Sequence, residues 1–259
     1  MVKINVAVIP AAGLNKRLAD LNFTKILPKP MLPIIDKPIL EYIIKFLVNN
    51  GVQRVYMIVN NKKKVIIDYF GSGEEFDTKI MYLEQGKPTG IADAINTAQE
   101  YINEPFFCVL GDTFVPNQRI DKLVNIFQVN NATAFEALSL EENAVNIKES
   151  CEVVMGDDHK ISELVEKPDR VFGNIRGSGI YIFEPKIFEL ISNWSKRNEN
   201  GEKGITEILN DLAKKGELYG GFLEKMDVNV NYSRDLIKAS VHALSESGVD
   251  LERRNGWRT

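Results

Sequence analysis

The sequence predicts an α/β fold: a single mixed, mainly parallel sheet flanked by helices, with an antiparallel hairpin region in its second half. Short apolar, strand-like runs alternate with helix-like segments through the first half, which is typical of a parallel sheet covered on both faces. After about residue 130 this alternation gives way to paired strands joined by turns. The chain has 259 residues, of which 44% are hydrophobic, enough to bury a substantial core.

The first half begins with a strand, Val6–Ile9, that enters a loop of small residues at Pro10-Ala11-Ala12-Gly13. Pro38 then opens a helix whose apolar residues recur at helical spacing, and Asn50-Gly51 ends it. The remaining elements of this half alternate strand and helix: Val55–Val59, Val65–Phe70, Ile80–Leu83, Ile91–Tyr101 and Phe106–Leu110.

The second half is predicted to contain an antiparallel hairpin, Cys151–Met155 and Ile161–Glu166, with its turn at Asp157-Asp158. Residues 198–204 form the clearest polar loop. The other predicted elements are strands at Ser178–Phe183 and Leu218–Leu223 and helices at Ile187–Trp194, Ile205–Lys215 and Leu236–Ser247.

Composition excludes several classes of function. A net charge of −4 gives no overall positive field, so nucleic acid is not expected as a partner. No run approaches the roughly 20 apolar residues of a membrane span, and the opening run is too short for a signal peptide. The two cysteines lack metal-ligand spacing, which predicts a reducing, cytoplasmic setting. With two isolated histidines, the chemistry must depend on lysine, arginine, carboxylates and backbone amides.

The loop after the first strand is a candidate phosphate site. Backbone N–H groups of small residues can approach phosphate oxygens closely there. Arg17 and Lys29 would add the positive charge that a triphosphate needs. Loop chemistry alone leaves an ordinary strand–helix turn with solvated bases as an equally good explanation. The G-x-G-x-x-G pattern is absent, so this is not a dinucleotide fingerprint.

Longer patterns are more specific. Ala7–Leu14, Arg17-Leu18, Pro28–Ile34 and Asp36–Leu40 together resemble the opening of the sugar-1-phosphate nucleotidyltransferases, which have G-x-G-T-R-L, then P-K-x-M-L-P, then D-K-P. Glucose-1-phosphate uridylyl- and thymidylyltransferases are the nearest types. Further family patterns follow in the same order, so that the resemblance covers roughly residues 5–240. The later matches are Glu84–Ala94, Phe107–Thr113, Glu166-Lys167-Pro168, Gly179-Ile180-Tyr181, Ile205-Thr206-Glu207 and Met226–Asn229.

The resemblance implies a Rossmann-like nucleotidyltransferase fold and a Mg²⁺-dependent enzyme of nucleotide-sugar biosynthesis. Its substrates would be an NTP, with a pyrimidine base favoured, and a sugar 1-phosphate or similar phosphorylated acceptor, and pyrophosphate would be released. We expect a single domain over residues 1–259: a nucleotide-binding half at about 1–130, an acceptor-binding part at about 131–240, and a C-terminal helix and tail at 241–259. A homo-oligomer is possible, because relatives commonly form one.

Carried over residue by residue, the resemblance also implies roles. Asp112 and Asp227 would supply the hard oxygen ligands that Mg²⁺ prefers. Taken singly, these aspartates are better explained as turn residues, but their order within the family pattern favours the functional interpretation. The other implied roles are catalytic for Arg17 and Lys29, nucleotide-binding for Ala11, Ala12, Gly13, Leu14, Gln85, Gly90 and Gly111, and acceptor-binding for Glu166, Lys167 and Gly179.

The sequence departs from the family pattern in the phosphate loop and on the acceptor side. The departures are Asn15, Lys16, a longer segment between Arg17 and Pro28, Glu152 for a glycine, Gly204 for a glutamate and Lys225 for a tryptophan. They keep two alternatives open: a CTP-dependent enzyme acting on a non-hexose phosphate such as a phosphocholine-like ester, and a non-catalytic paralogue that binds nucleotide sugars. Glu152 and Lys225 predict a charged or amino-bearing acceptor, unless both side chains point to solvent and an ordinary hexose fits.

Overall fold

The computed structural model describes residues 3–13, 27–61, 63–86, 89–197 and 204–246. Leu14 and Arg17, which the sequence assigns to the phosphate site, lie outside the described residues, as does nearly all of the polar loop at 198–204. The strands are β1 Val6–Pro10, β2 Pro33–Ile34, β3 Lys37–Pro38, β4 Arg54–Val59, β5 Lys79–Glu84, β6 Phe106–Val109, β7 Thr113–Phe114, β8 Ala134–Leu140, β9 Cys151–Met155, β10 Ile161–Glu166, β11 Ile175–Phe183, β12 Leu218–Phe222 and β13 Val228–Asn229. The helices are α1 Ile39–Asn49, α2 Lys63–Phe70, α3 Ile91–Asn96, α4 Asp121–Val129, α5 Ala144–Lys148, α6 Lys186–Arg197, α7 Thr206–Lys214 and α8 Ser233–Glu246.

A nine-stranded mixed sheet organises these elements and confirms the predicted fold class. Strands β6, β1, β4 and β5 lie side by side and parallel, as the alternating first half predicts. Strand β11 runs antiparallel to both β6 and β8, and β12 pairs with β8 in parallel. The β9–β10 hairpin forms one edge of the sheet, and β5 forms the other. The two short pairs, β7 with β13 and β2 with β3, lie outside this sheet.

The sheet is buried on both faces. In β1, Val6 and Val8 pack into one apolar cluster, whereas Ala7 and Ile9 pack into the other. Side chains of a strand alternate between faces, so a strand covered on both sides must be apolar at every position. This is why β1 and β4 are continuous hydrophobic runs rather than alternating ones.

Helix α1 begins and ends at the residues that the sequence indicates. Pro38 lies immediately before it in an extended conformation, and Asn50 and Gly51 follow its last turn. Gly51 has φ of 92°, a left-handed conformation that suits glycine at a helix C-terminus. The side-chain amide of Asn50 also donates to the carbonyls of Phe46 and Gln118, which ties the helix end to the segment before α4.

The structure differs from the sequence prediction in the length of one helix and in several elements that were not predicted, among them the short strands β2, β3, β7 and β13. The helix predicted over Ile91–Tyr101 is shorter, because the chain tightens after α3 into i→i+3 hydrogen bonds and forms a separate 3₁₀ turn at Gln99–Tyr101. Strand β8 and helices α4 and α5 were not predicted. In the part of the chain that the structure describes, no helix has both the length and the apolarity to cross a bilayer.

Candidate active site

The loop after β1 lies at the carboxyl edge of the parallel strands. The backbone N–H of Ala11 donates to the carbonyl of Ile58 at 2.8 Å, and Asn60 Nδ2 donates to the carbonyl of Ala12 at 2.8 Å. On the other side, the backbone N–H of Gly111 donates to the carbonyl of Pro10 at 3.1 Å. The loop is therefore held between the ends of β4 and β6, the edge at which open α/β sheets bind their ligands.

Gly111 allows this close approach. A Cβ atom at this position would lie 2.8 Å from the carbonyl oxygen of Pro10 and 3.2 Å from Cα of Ala11, closer than a side chain tolerates. Both of these neighbouring atoms belong to backbone and cannot move aside. The absence of a side chain at Gly111 thus brings Asp112, the next residue, to the edge of the phosphate loop.

Two separate segments converge on Asp112. Lys29 Nζ, from the 3₁₀ turn Lys29–Met31, lies 2.6 Å from Asp112 Oδ2 and donates to Asn231 Oδ1 at 3.1 Å. The backbone N–H of Val230 donates to the carbonyl of Asp112 at 2.9 Å, so the segment that carries Asn231 is fixed directly against it. We call Lys29, Asp112 and Asn231 the Asp112 corner. It combines a cation with two oxygen-bearing side chains.

The structure does not bring Asp227 into the Asp112 corner. Its side chain is fully buried, and Arg176 Nη1 and Nη2 lie 2.9 Å from its two carboxylate oxygens. Ser139 also donates to Asp227 Oδ1. The sequence reasoning missed Asn231, which takes the place beside Asp112. Oxygen-bearing side chains recur at every second position from Asp227 to Asn231, and this spacing does not indicate which of them faces Asp112.

Further buried oxygens lie close to this corner. Thr113 Oγ1 and Asn229 Oδ1 have no hydrogen-bond partner among the described residues, and the two residues are paired across β7 and β13. Buried polar atoms normally have a partner. Oxygen donors from an aspartate, amides and a hydroxyl fit Mg²⁺, which is typically held by one or two carboxylates together with water and substrate phosphates. Among the described residues, no group of three or more His, Cys, Asp or Glu could hold a metal ion.

The residues assigned to the nucleotide base lie together at the same edge of the sheet. Gln85 follows β5 directly, and its backbone N–H donates to the carbonyl of Val59 at 2.9 Å. Its side-chain amide donates to the carbonyl of Gly90 at 3.3 Å. Gly90 has φ of 131°, which L side chains rarely adopt, and it immediately precedes α3. Gln85 and Gly90, which the family resemblance assigns together to the nucleotide, are thus in contact.

The residues assigned to the acceptor follow the β9–β10 hairpin. Lys167 has φ of 47°, an uncommon value for a lysine, and its backbone N–H donates to the carbonyl of Ser150 at 2.7 Å. Its Nζ lies 3.2 Å from Glu166 Oε1, and Thr206 donates to Glu166 Oε2 at 3.3 Å. Such strained conformations cluster at functional sites, where the surrounding structure holds them in place.

Gly179, which is also assigned to the acceptor, lies in β11 beside the end of β6. Its carbonyl accepts the backbone N–H of Leu110 at 2.9 Å, and its φ is 74°. A Cβ atom here would lie 3.0 Å from Leu110 Cδ1 and 3.2 Å from Thr113 Oγ1. Gly179 therefore packs directly against the segment that carries Gly111 and Asp112.

Two charged residues that depart from the family pattern, Glu152 and Lys225, contact other parts of the protein. Glu152 Oε1 accepts the backbone N–H groups of Phe172, at 2.7 Å, and Gly173. Lys225 Nζ donates to the carbonyl of Asn117 at 3.0 Å and pairs with Glu246. The expectation that Glu152 and Lys225 bind a charged acceptor thus gains no support from the structure, because both side chains contact neighbouring segments of the protein.

An unexpected carboxyl group lies inside the sheet. Glu136 in β8 is 1% exposed, and burial raises its pKa to about 8, with the Tyr181 hydroxyl acting in the opposite direction. Its Oε2 atom has no hydrogen-bond partner among the described residues. The other oxygen, Oε1, fills the space above Gly177, where a Cβ atom would lie only 2.1 Å away. The sequence contains no pattern that predicts this arrangement.

Comparison with known proteins identifies the family of this chain. The model of the nucleotidyl transferase family matches residues 6–255. The bifunctional protein GlmU of Methanocaldococcus jannaschii is 35% identical over 95% of this chain and 56% of its own length. The chain thus spans about half the length of the curated relatives it matches.

Solved structures give the same result. A UDP-glucose pyrophosphorylase complexed with UDP-glucose is 26% identical, with a TM-score of 0.79 over 94% of this chain and 99% of the other. A Bacillus anthracis protein named as a glucose-1-phosphate thymidylyltransferase is 24% identical over 92% of this chain and 94% of its own, and its TM-score of 0.81 supports the fold alone. The chain therefore belongs to the nucleotidyl transferase family of enzymes.

Proposed function

We propose that this protein transfers a nucleoside monophosphate from a pyrimidine NTP to a sugar 1-phosphate and releases pyrophosphate. The observation that carries the proposal is the Asp112 corner, where Lys29, Asp112 and Asn231 meet beside the phosphate loop. A cation and oxygen ligands at the edge of a small-residue loop are what a triphosphate and its metal ion require. The UDP-glucose complex of a structural relative supports a nucleotide sugar as the product.

In this reaction an oxygen of the acceptor phosphate attacks the α-phosphorus of the NTP. The bond from the α-phosphorus to the oxygen that bridges it to the β-phosphate breaks, and pyrophosphate leaves with the electron pair. No protein nucleophile is needed, because positioning and charge neutralisation do the catalysis. Bound Mg²⁺ would neutralise phosphate charge, and we assign its protein ligands to Asp112 and Asn231.

Lys29 supplies the positive charge of this corner. Its Nζ is held by Asp112 and Asn231, so that it is already in place to interact with the nucleotide phosphates. We assign Arg17, on the family resemblance, to the departing pyrophosphate. Positive charge at both sites would stabilise the negative charge that develops as the bond to pyrophosphate breaks.

The base and the acceptor are assigned to opposite sides of the corner. The contact between Gln85 and Gly90 supports base recognition, in which the amide reads the edge of a pyrimidine and the glycine admits the ring. On the other side, the exposed Lys167 at the end of the hairpin is assigned to the acceptor phosphate, with Glu166 beside it. Because Glu152 and Lys225 are engaged elsewhere, no contact favours a specialised charged acceptor over an ordinary hexose phosphate.

Pyrophosphate release measured over a panel of substrates tests the proposal. The panel combines UTP, dTTP, CTP, ATP and GTP with glucose 1-phosphate, N-acetylglucosamine 1-phosphate and phosphocholine. We expect release with a pyrimidine NTP and a sugar phosphate, and its loss in Asp112→Asn. Asp158→Asn, a matched change in the exposed hairpin turn, should leave the rate unchanged. Release that depends on phosphocholine alone, or equal rates in both variants, would contradict the proposal.

A further inference from the structure

Arg176 is a buried cation at the start of β11, and only 4% of it is exposed. Its guanidinium donates to Asp227 Oδ1, Oδ2 and the backbone carbonyl of the same residue, each at 2.9 Å. Nη1 also donates to the carbonyl of Gly177 at 3.2 Å, and Nε lies 3.9 Å from Glu141 Oε2. Arg176 therefore holds both the side chain and the backbone of Asp227.

Asp227 begins the segment that leads to the Asp112 corner. Strand β13 follows it directly, and Asn231 lies four residues further along. At its far end, this segment is fixed by Asp235, whose carboxylate accepts the backbone N–H groups of Asn231 at 2.8 Å and Tyr232 at 2.7 Å. The position of Asn231 is thus set from both ends, by Arg176 before it and by Asp235 after it.

Apolar packing holds this segment on one side only, through the buried Val228 and Val230. On the other side it borders a polar recess, lined by Arg176, Asp227, Asn229, Asn231, Asp235 and Lys238, among others. A buried ion pair is also a poor source of stability, because removing two charges from water offsets most of their attraction. The Arg176–Asp227 pair is better explained by the geometry that its hydrogen bonds impose.

We propose that Arg176 is a positioning residue for the nucleotidyl-transfer site: by holding Asp227, it sets the position of Asn231 and hence the affinity of the Asp112 corner for a divalent cation. The inference rests on the proposed function. The sequence suggests Asp227 as a metal ligand; in this proposal Asp227 instead acts indirectly, by positioning Asn231, and does not contact the metal. Partners that orient a metal ligand commonly affect metal affinity strongly without touching the ion.

The test replaces the ion pair by apolar groups in Arg176→Met/Asp227→Leu. Such a replacement is often neutral or stabilising for the fold, so a purely structural pair would leave metal binding unchanged. We expect Mn²⁺, followed by electron paramagnetic resonance, to bind roughly 10–100-fold more weakly than to the wild type. Hydrogen exchange at residues 228–231 should become faster. The Mg²⁺ concentration for half-maximal pyrophosphate release should rise in parallel, with the KM for NTP little changed.

Two further variants complete the design. Arg54→Met/Glu104→Leu removes an arginine–carboxylate pair at the amino end of β4, away from the Asp112 corner, and should bind Mn²⁺ as the wild type does. Asp227→Asn keeps the shape of the side chain and should also weaken Mn²⁺ binding, by a smaller factor than the double variant. This single variant provides the test if the double variant at residues 176 and 227 does not fold. Wild-type Mn²⁺ affinity in folded Asp227→Asn or in the folded double variant would overturn the inference. A wild type that binds Mn²⁺ but releases no pyrophosphate with any substrate pair would instead contradict the proposed function.

Discussion

Replacing Glu136 by glutamine tests how strongly the buried sheet perturbs a carboxyl group. Burial raises the pKa of Glu136 from its usual 4.5 to about 8, so that the folded protein keeps this proton at neutral pH. The unfolded chain loses the proton near its usual pKa. Between these two values the folded state binds more protons than the unfolded state, and the free energy of unfolding therefore decreases as pH rises.

The size of the effect follows from the displaced pKa. Each pH unit between the two pKa values costs about 1.4 kcal/mol of stability, or on the order of 3 kcal/mol between pH 5 and pH 7. Glutamine has nearly the same shape and does not titrate. The stability of the wild type relative to Glu136→Gln should therefore be greatest near pH 5 and should decline towards pH 8, where it levels off.

Urea unfolding followed by circular dichroism, with both proteins measured at a series of pH values, gives this difference directly. Glu163→Gln, an exposed change on strand β10 of the same sheet, is the matched control and should show a difference from the wild type that is nearly independent of pH. A constant difference between the wild type and Glu136→Gln across the range would refute a raised pKa at Glu136.

Four further substitutions test separate parts of the account. Gly177→Ala would place a Cβ atom 2.1 Å from Glu136 Oε1 and should lower the free energy of unfolding by about 1–3 kcal/mol, measured in urea; unchanged stability would contradict the close contact. Lys167→Ala should raise the KM for the acceptor, whereas Arg17→Ala should mainly lower kcat; steady-state kinetics in which both changes raise only the acceptor KM would show these roles to be wrong. Asp112→Ala should lower kcat by about two to three orders of magnitude at saturating Mg²⁺, and near-normal turnover would exclude it as a metal ligand.

Much of the parallel half of the sheet could be predicted from the sequence because its signals are local. The uninterrupted apolar runs of β1 and β4 reflect burial on both faces, and Asn50-Gly51 marks the end of α1 by its own conformational preference. Strand β8 was missed because Glu136 and Ser139 are buried polar residues that interrupt its apolar run. Their partners, Tyr181 for Glu136 and Asp227 for Ser139, lie more than 40 residues further along the chain and are not evident from the sequence.

The Asp112 corner was predicted only in part, for a related reason. Gly111, Asp112 and Lys29 belong to motifs whose order along the chain is itself informative. In the structure the carboxylate of Asp227 pairs with Arg176, which lies 51 residues before it, whereas Asn231 accepts a hydrogen bond from Lys29 in the corner. No local pattern encodes that contact, so sequence reasoning favoured the carboxylate over the neighbouring amide.

The fate of the α-phosphorus tests the central claim most directly. The wild type is incubated with Mg²⁺, a hexose 1-phosphate and UTP labelled at the α-phosphorus, and the products are followed by phosphorus NMR and chromatography. Nucleotidyl transfer predicts that the label appears in a new diphosphate ester joined to the sugar, with one pyrophosphate released for each ester formed. Label recovered only in UDP or UMP without the sugar, or no reaction with any NTP and sugar phosphate, would contradict the account.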